Sequence, residues 1–147
     1  MAPDKISILA VDDDANIREM LERRLARAGY HCVVASSAGQ AADLLQQEAF
    51  ALVLLDIRMP GKSGMEFLPE IVDQYPHTGV IMITGVADKA TAAKAVWQGA
   101  MDYITKPFNL DELGLRMEHA LTRRGHSLQN RNYHGNVEAI WNSGYGS

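Results

Sequence analysis

Five short aliphatic or β-branched segments alternate with amphipathic segments along the first 124 residues, and this alternation constrains the fold more than any other feature of the sequence. Each aliphatic segment has the length and composition of a buried strand. The predicted strands are 6–11, 32–35, 51–55, 80–84 and 101–104. Strands joined by helical crossovers must run parallel, with helices on both faces of the sheet. The sequence therefore predicts a doubly wound α/β domain built from five strand–helix units.

The amphipathic segments carry the signals that begin and end helices. The predicted helices lie near 15–28, 38–48, 64–75, 88–98 and 110–124. Capping-box patterns occur at Ser37 with Gln40 and at Ser63 with Glu66, and a looser one occurs at Asn109 with Glu112. Gly29 and Gly99 are predicted to end the first and fourth helices. Pro69 lacks a backbone donor inside the third helix, so we expect a kink or a delayed start there.

Composition excludes several functional classes. The 147 residues contain 14 Lys and Arg against 18 Asp and Glu, for a net charge of −4. This balance disfavours direct, sequence-independent binding of nucleic acid. No apolar run approaches the roughly 20 residues of a membrane span, so we expect a cytoplasmic protein without a membrane partner. Residues 125–147 are rich in Gly and Asn and poor in charge, which is typical of a tail or of a linker to an absent effector.

Polar residues end or directly follow four of the predicted strands. In an open parallel sheet, ligands bind outside the carboxyl ends of the strands. These positions hold Asp12, Asp13, Asp14, Asp56, Thr84 and Lys106. Clustered carboxylates favour a hard cation such as Mg²⁺, which takes few protein ligands and keeps waters for a phosphate. Lys106 offers a point charge for a phosphoryl oxygen, and the Thr84 hydroxyl offers a donor beside it.

Four sequence segments at these strand ends resemble the phosphoacceptor receiver domain of two-component response regulators. They read ILAVDDD at 8–14, LVLLDIRMPGKSG at 52–64, IMITG at 81–85 and GAMDYITKPF at 99–108. The resemblance covers residues 6–124 and predicts a receiver domain over 1–124. It implies a flavodoxin-like fold with strand order 2-1-3-4-5. It also implies a cytoplasmic phosphorelay protein, a signalling switch that catalyses its own phosphorylation and dephosphorylation.

The resemblance also assigns roles to individual residues. Asp56 would accept the phosphoryl group from a phosphohistidine on a sensor histidine kinase or phosphotransfer protein. Mg²⁺ would be held by Asp13, Asp56 and the backbone carbonyl of Arg58, with Asp12 reaching it through water. Thr84 and Lys106 would contact the phosphoryl group.

Phosphorylation would then alter an output surface formed by the fourth helix, fifth strand and fifth helix. In the family, an aromatic switch residue lies at the position of Tyr103. A homodimer through this surface is a possible partner arrangement. The family uses a cis Lys106–Pro107 bond to aim the lysine, and sequence alone does not decide the isomer.

Several alternatives remain open. A flavodoxin-like FMN-binding module and a receiver-shaped scaffold that accepts no phosphate share this topology. Tyr103 could instead be packed permanently between helix and sheet. Trp97 is interpreted either as a half-buried packing residue or as a contact for a partner or second copy. The histidines show no metal-ligand spacing and are expected at the surface or in the tail; they are His31, His77, His119, His126 and His134.

Overall fold

The computed structural model describes residues 5–123, so the predicted tail at 125–147 lies outside the described residues. Five strands alternate with five helices along this part of the chain. The strands are β1 Ser7–Val11, β2 His31–Ala35, β3 Leu52–Asp56, β4 Gly79–Gly85 and β5 Asp102–Lys106. The helices are α1 Ala15–Arg27, α2 Ala38–Gln47, α3 Gly64–Gln74, α4 Lys89–Trp97 and α5 Leu110–Arg123. A short 3₁₀ turn, Val86–Asp88, precedes α4.

All strand pairs are parallel, and the sheet has the order β2-β1-β3-β4-β5. The predicted α/β class and strand order are therefore confirmed. Strand β3 lies in the centre and is buried over its whole length, which explains its continuous aliphatic sequence.

Two apolar cores lie on opposite faces of this sheet. Along β3, Leu52 and Leu54 point into one core with residues of α1 and α5, and Val53 and Leu55 point into the other with residues of α2, α3 and α4. This alternation follows from the period of two of a β-strand. No helix within residues 5–123 is long and apolar enough to cross a membrane.

The helix ends follow the predicted signals closely. The Ser63 and Glu66 pair forms a complete capping box, whereas the Gln40 side chain accepts from the amide of Ser36 instead of closing the box on Ser37. After α1 and α4, Gly29 and Gly99 have φ values of 102° and 115°, which favour glycine.

Helix α3 begins at Gly64 and continues through Pro69 to Gln74, so the expected delayed start is wrong. The capping box fixes the helix start five residues before the proline. Pro69 is the sixth of the eleven residues of α3, and the helix continues for five residues beyond it. The kink stays a prediction.

Candidate functional site

The parallel sheet brings the polar strand ends to one edge. Asp12 follows β1, Asp56 ends β3, and Lys106 ends β5. Thr84 is the next-to-last residue of β4 and pairs in register with Thr105 of β5. A cleft of about 540 Å³ opens at this edge, and four of the predicted strand-end residues, Asp13, Asp14, Asp56 and Lys106, line it.

Three carboxylates meet in this cleft. One oxygen from each of Asp12, Asp13 and Asp56 lies within 4.8 Å of the others. Asp12 is fully buried, Asp56 is 6% exposed, and Asp13 is open to solvent. Asp14 takes a different role, because its side chain accepts from the amide of Asn16 and caps α1. Only the first two residues of the Asp triplet thus belong to the carboxylate cluster.

Lys106 provides the positive charge of the cluster. Its Nζ lies 2.8 Å from Asp12 Oδ2 and 3.6 Å from Asp56 Oδ2. Burial alone would lower the pKa of Lys106, but the carboxylates of Asp12 and Asp56 outweigh it and raise that pKa. The lysine is therefore held as a cation between the two buried carboxylates. The peptide bond between Lys106 and Pro107 is cis.

The environment of Asp56 raises the pKa of its carboxyl to about 6. Burial is the largest cause, and repulsion by Asp12 adds to it. Lys106 and the backbone N–H of Arg58 act in the opposite direction, the latter at 3.4 Å from Asp56 Oδ1. At neutral pH the carboxyl is still mostly ionised, and it can act as a nucleophile.

The cluster fits a divalent cation. Carboxylate oxygens are hard ligands of the kind that Mg²⁺ selects, and such an ion would relieve the repulsion that raises the pKa of Asp56. Asp13 is exposed whereas Asp12 and Asp56 are buried, so water can reach one side of the carboxylate cluster.

The two predicted switch residues are Thr84, which directly precedes Gly85 of the cleft lining, and Tyr103 on β5. Thr84 is fully buried, and its hydroxyl donates to the carbonyl oxygen of Gly85 at 3.1 Å. Tyr103 is half-buried and packs against the core that contains α4. The half-buried interpretation of Trp97 is wrong, because the residue is 91% exposed at the end of α4. The described histidines, His31, His77 and His119, are exposed as expected.

Asp88 also lines the cleft, although the sequence did not predict it there. The Arg58 guanidinium donates through Nε to Asp88 Oδ2 at 2.5 Å and through an Nη atom to Asp88 Oδ1 at 2.6 Å. This ion pair joins the β3–α3 loop to the start of α4, across 30 residues of sequence. The sequence did not predict this ion pair.

A family model described as the response regulator receiver domain matches residues 8–118. The chain belongs to the response regulator receiver domain family. Its assignment to two-component signal transduction is thereby confirmed. The roles of individual site residues stay predictions at this point.

Among similar proteins, the DNA-binding transcriptional regulator NtrC of Escherichia coli K12 is 38% identical over 125 residues, which are 85% of this chain and 27% of NtrC. The crystal structure of the receiver domain of NtrX from Brucella abortus is 38% identical, with a TM-score of 0.75, and the match covers 78% of this chain and 98% of that one.

The structure of response regulator protein TrrA from Thermotoga maritima, determined in complex with Mg²⁺ and BeF, is 34% identical with a TM-score of 0.71. That match covers 79% of this chain and 99% of TrrA. The chain spans only about a quarter of the length of NtrC, so the receiver assignment concerns that part of such regulators.

Proposed function

We propose that this chain is a phosphorylation-activated switch that accepts a phosphoryl group on Asp56. The observation that carries this proposal is that the Asp56 carboxylate lies 3.6 Å from the Lys106 ammonium and clusters with the carboxylates of Asp12 and Asp13. The donor is a phosphohistidine on a sensor histidine kinase or phosphotransfer protein, as the family membership supports. This is the reaction that the receiver resemblance implies.

In the transfer step, an ionised oxygen of Asp56 attacks phosphorus. The new P–O bond forms as the P–N bond to the histidine breaks, and the imidazole nitrogen keeps the electron pair. Lys106 neutralises charge on the phosphoryl oxygens, for which its position 3.6 Å from Asp56 is suited. Water later cleaves the acyl phosphate and restores the Asp56 carboxylate.

Mg²⁺ is the proposed cofactor. Asp13, Asp56 and the backbone carbonyl of Arg58 would hold it, and Asp12 would contact it through water. The carboxylate cluster supports this assignment, as does the complex of TrrA with Mg²⁺ and BeF. When bound, the ion supplies charge neutralisation for the phosphoryl group.

The proposed output lies on the surface of α4, β5 and α5. Phosphorylation adds a charge of about −1.5 to −2 beside Thr84 and draws its hydroxyl inward, which makes room for the Tyr103 ring. The altered surface binds a partner or a second copy, and the exposed Trp97 belongs to it. The segment itself makes no direct contact with DNA, although similar regulators are named as DNA-binding proteins.

The test is phosphorylation by acetyl phosphate with Mg²⁺, followed by intact-protein mass spectrometry. The wild type should gain one phosphoryl group that hydroxylamine removes, Asp56→Asn should gain none, and the matched control Asp73→Asn should behave like the wild type. Equal labelling of Asp56→Asn would reject the acceptor assignment. A flavin chromophore in the purified protein would favour the FMN-binding alternative, and an unlabelled wild type would favour the scaffold alternative.

A further inference from the structure

The start of α4 differs from the start of the other helices. The residues before α1, α2 and α3, namely Asp14, Ser37 and Ser63, have extended backbones and accept hydrogen bonds from amides of the first turn. The Asn109 side chain likewise accepts a hydrogen bond from the amide of Glu112 in the first turn of α5. Asp88 precedes α4 and has a side chain suited to capping, yet it makes no capping hydrogen bond.

The carboxylate of Asp88 is occupied elsewhere. Both of its oxygens accept from Arg58, and its backbone has φ −106° and ψ 17°, which is not the extended conformation of a capping residue. The hydrogen bonds to Arg58 lower the pKa of the Asp88 carboxyl, so it stays ionised. Asp88 can therefore either hold Arg58 or cap α4, and in this structure it holds Arg58.

A phosphoryl group on Asp56 would share its cleft with Arg58. Its backbone N–H is 3.4 Å from Asp56 Oδ1, and its side chain lines the same cleft as Asp56 and Lys106. The guanidinium side chain is 76% exposed, so packing does not prevent it from moving. A phosphoryl group carries about twice the charge of a carboxylate and accepts two parallel hydrogen bonds from arginine.

We propose that Asp88 is the residue through which phosphorylation of Asp56 changes the start of α4. The phosphoryl group draws the Arg58 guanidinium away, and the released Asp88 carboxylate turns to cap α4. The 3₁₀ turn Val86–Asp88 then gives way to a regular helix start. This inference rests on the proposed phosphorylation of Asp56.

The experiment measures amide hydrogen exchange by NMR at Ala90 and Thr91, whose N–H groups a capping Asp88 would bind. In the wild type, beryllofluoride with Mg²⁺, a mimic of the phosphoryl group, should slow this exchange about fivefold, as expected for one helix cap. Arg58→Ala should show the slow exchange without the mimic, and Arg58→Lys should restore the fast exchange.

Two variants of Asp88 separate capping from a general structural effect. Asp88→Asn loses the charge but keeps a capping oxygen, so it should exchange slowly without the mimic. Asp88→Ala can neither pair nor cap and should exchange fast with and without it. The control Lys62→Ala breaks the ion pair between Lys62 of the β3–α3 loop and Glu70 of α3, which does not involve α4, and should match the wild type.

The inference is overturned if Arg58→Ala exchanges as fast as the wild type without the mimic, or if Asp88→Ala slows with the mimic as the wild type does. The Arg58→Ala comparison needs no phosphoryl mimic. Failure of the wild type to bind beryllofluoride would therefore count against the proposed phosphorylation of Asp56, and it would leave this comparison decisive for Asp88.

Discussion

Replacing Asp56 by asparagine should stabilise the fold at neutral pH, although it removes the proposed acceptor. Asp56 is 6% exposed, and burial followed by repulsion from Asp12 raises the pKa of its carboxyl from 3.8 to about 6. The folded protein therefore disfavours the ionised form. Asparagine has nearly the same shape and no charge, so Asp56→Asn removes this cost while it keeps the packing.

The size of the effect follows from the pKa. A pKa raised from 3.8 to about 6 corresponds to about 3 kcal/mol, which is an upper bound because water in the open cleft screens part of the interaction. The folded-state pKa of Asp56 exceeds that of the unfolded chain, so the unfolded chain binds fewer protons between about pH 4 and pH 6. The wild type therefore loses stability relative to Asp56→Asn as the pH rises through this range.

Urea unfolding followed by circular dichroism measures the free energy of unfolding of both proteins. The variant should be more stable at neutral pH, the difference should disappear below about pH 4, and Mg²⁺ should narrow it by stabilising the ionised wild type. Asp73→Asn, an exposed position on α3, is the control and should change little. An Asp56→Asn protein that is equally or less stable at neutral pH would refute the reasoning.

Three further outcomes are expected. Asp13→Ala should weaken Mg²⁺ binding about tenfold or more in calorimetric titration, whereas Asp14→Ala should not; equal losses would mean that the roles in the triplet are misassigned. Gly64→Ala should destabilise the fold in urea by about 1–3 kcal/mol, because a Cβ there would clash with the backbone carbonyl oxygen of Asp56, the last residue of β3. Gly114→Ala, in open space on α5, should instead stabilise by up to about 1 kcal/mol, and the same sign at both glycines would contradict this. Trp97→Ala should change stability by less than about 0.5 kcal/mol and weaken self-association with beryllofluoride in sedimentation; unchanged association would remove the residue from the output surface.

The sequence predicted the sheet and most of the cleft because both depend on rules that act over many residues. Aliphatic runs separated by helices can pair only as parallel strands, and the carboxyl ends of such strands meet at one edge. Asp12, Asp56 and Lys106 could therefore be placed together before any distance was known. The first helix cap was equally predictable, because Asp14 acts on amides within its own turn.

Side-chain exposure and the path of α3 were less predictable because they depend on local competition. Trp97 would bury a large apolar area if a neighbour were close, but it lies at the last residue of α4 and remains 91% exposed. Pro69 argued for a later start of α3, but the capping box at Ser63 satisfies the first amides before the proline is reached. The tendency of tryptophan to be buried was thus outweighed by its position at the end of α4, and the tendency of proline to delay a helix was outweighed by the cap at the start of α3.

The ion pair between Arg58 and Asp88 shows how such a local departure points to function. The rule that an aspartate directly before a helix caps it holds for Asp14 at α1 and fails for Asp88 at α4. It fails because a cation from a loop 30 residues earlier takes both carboxylate oxygens. Local rules that are broken in an otherwise consistent fold tend to mark functional positions. Asp88 lines the proposed phosphoacceptor cleft and directly precedes α4, the helix that the proposed switch must alter. A change at the acceptor can therefore reach the output helix through this one residue.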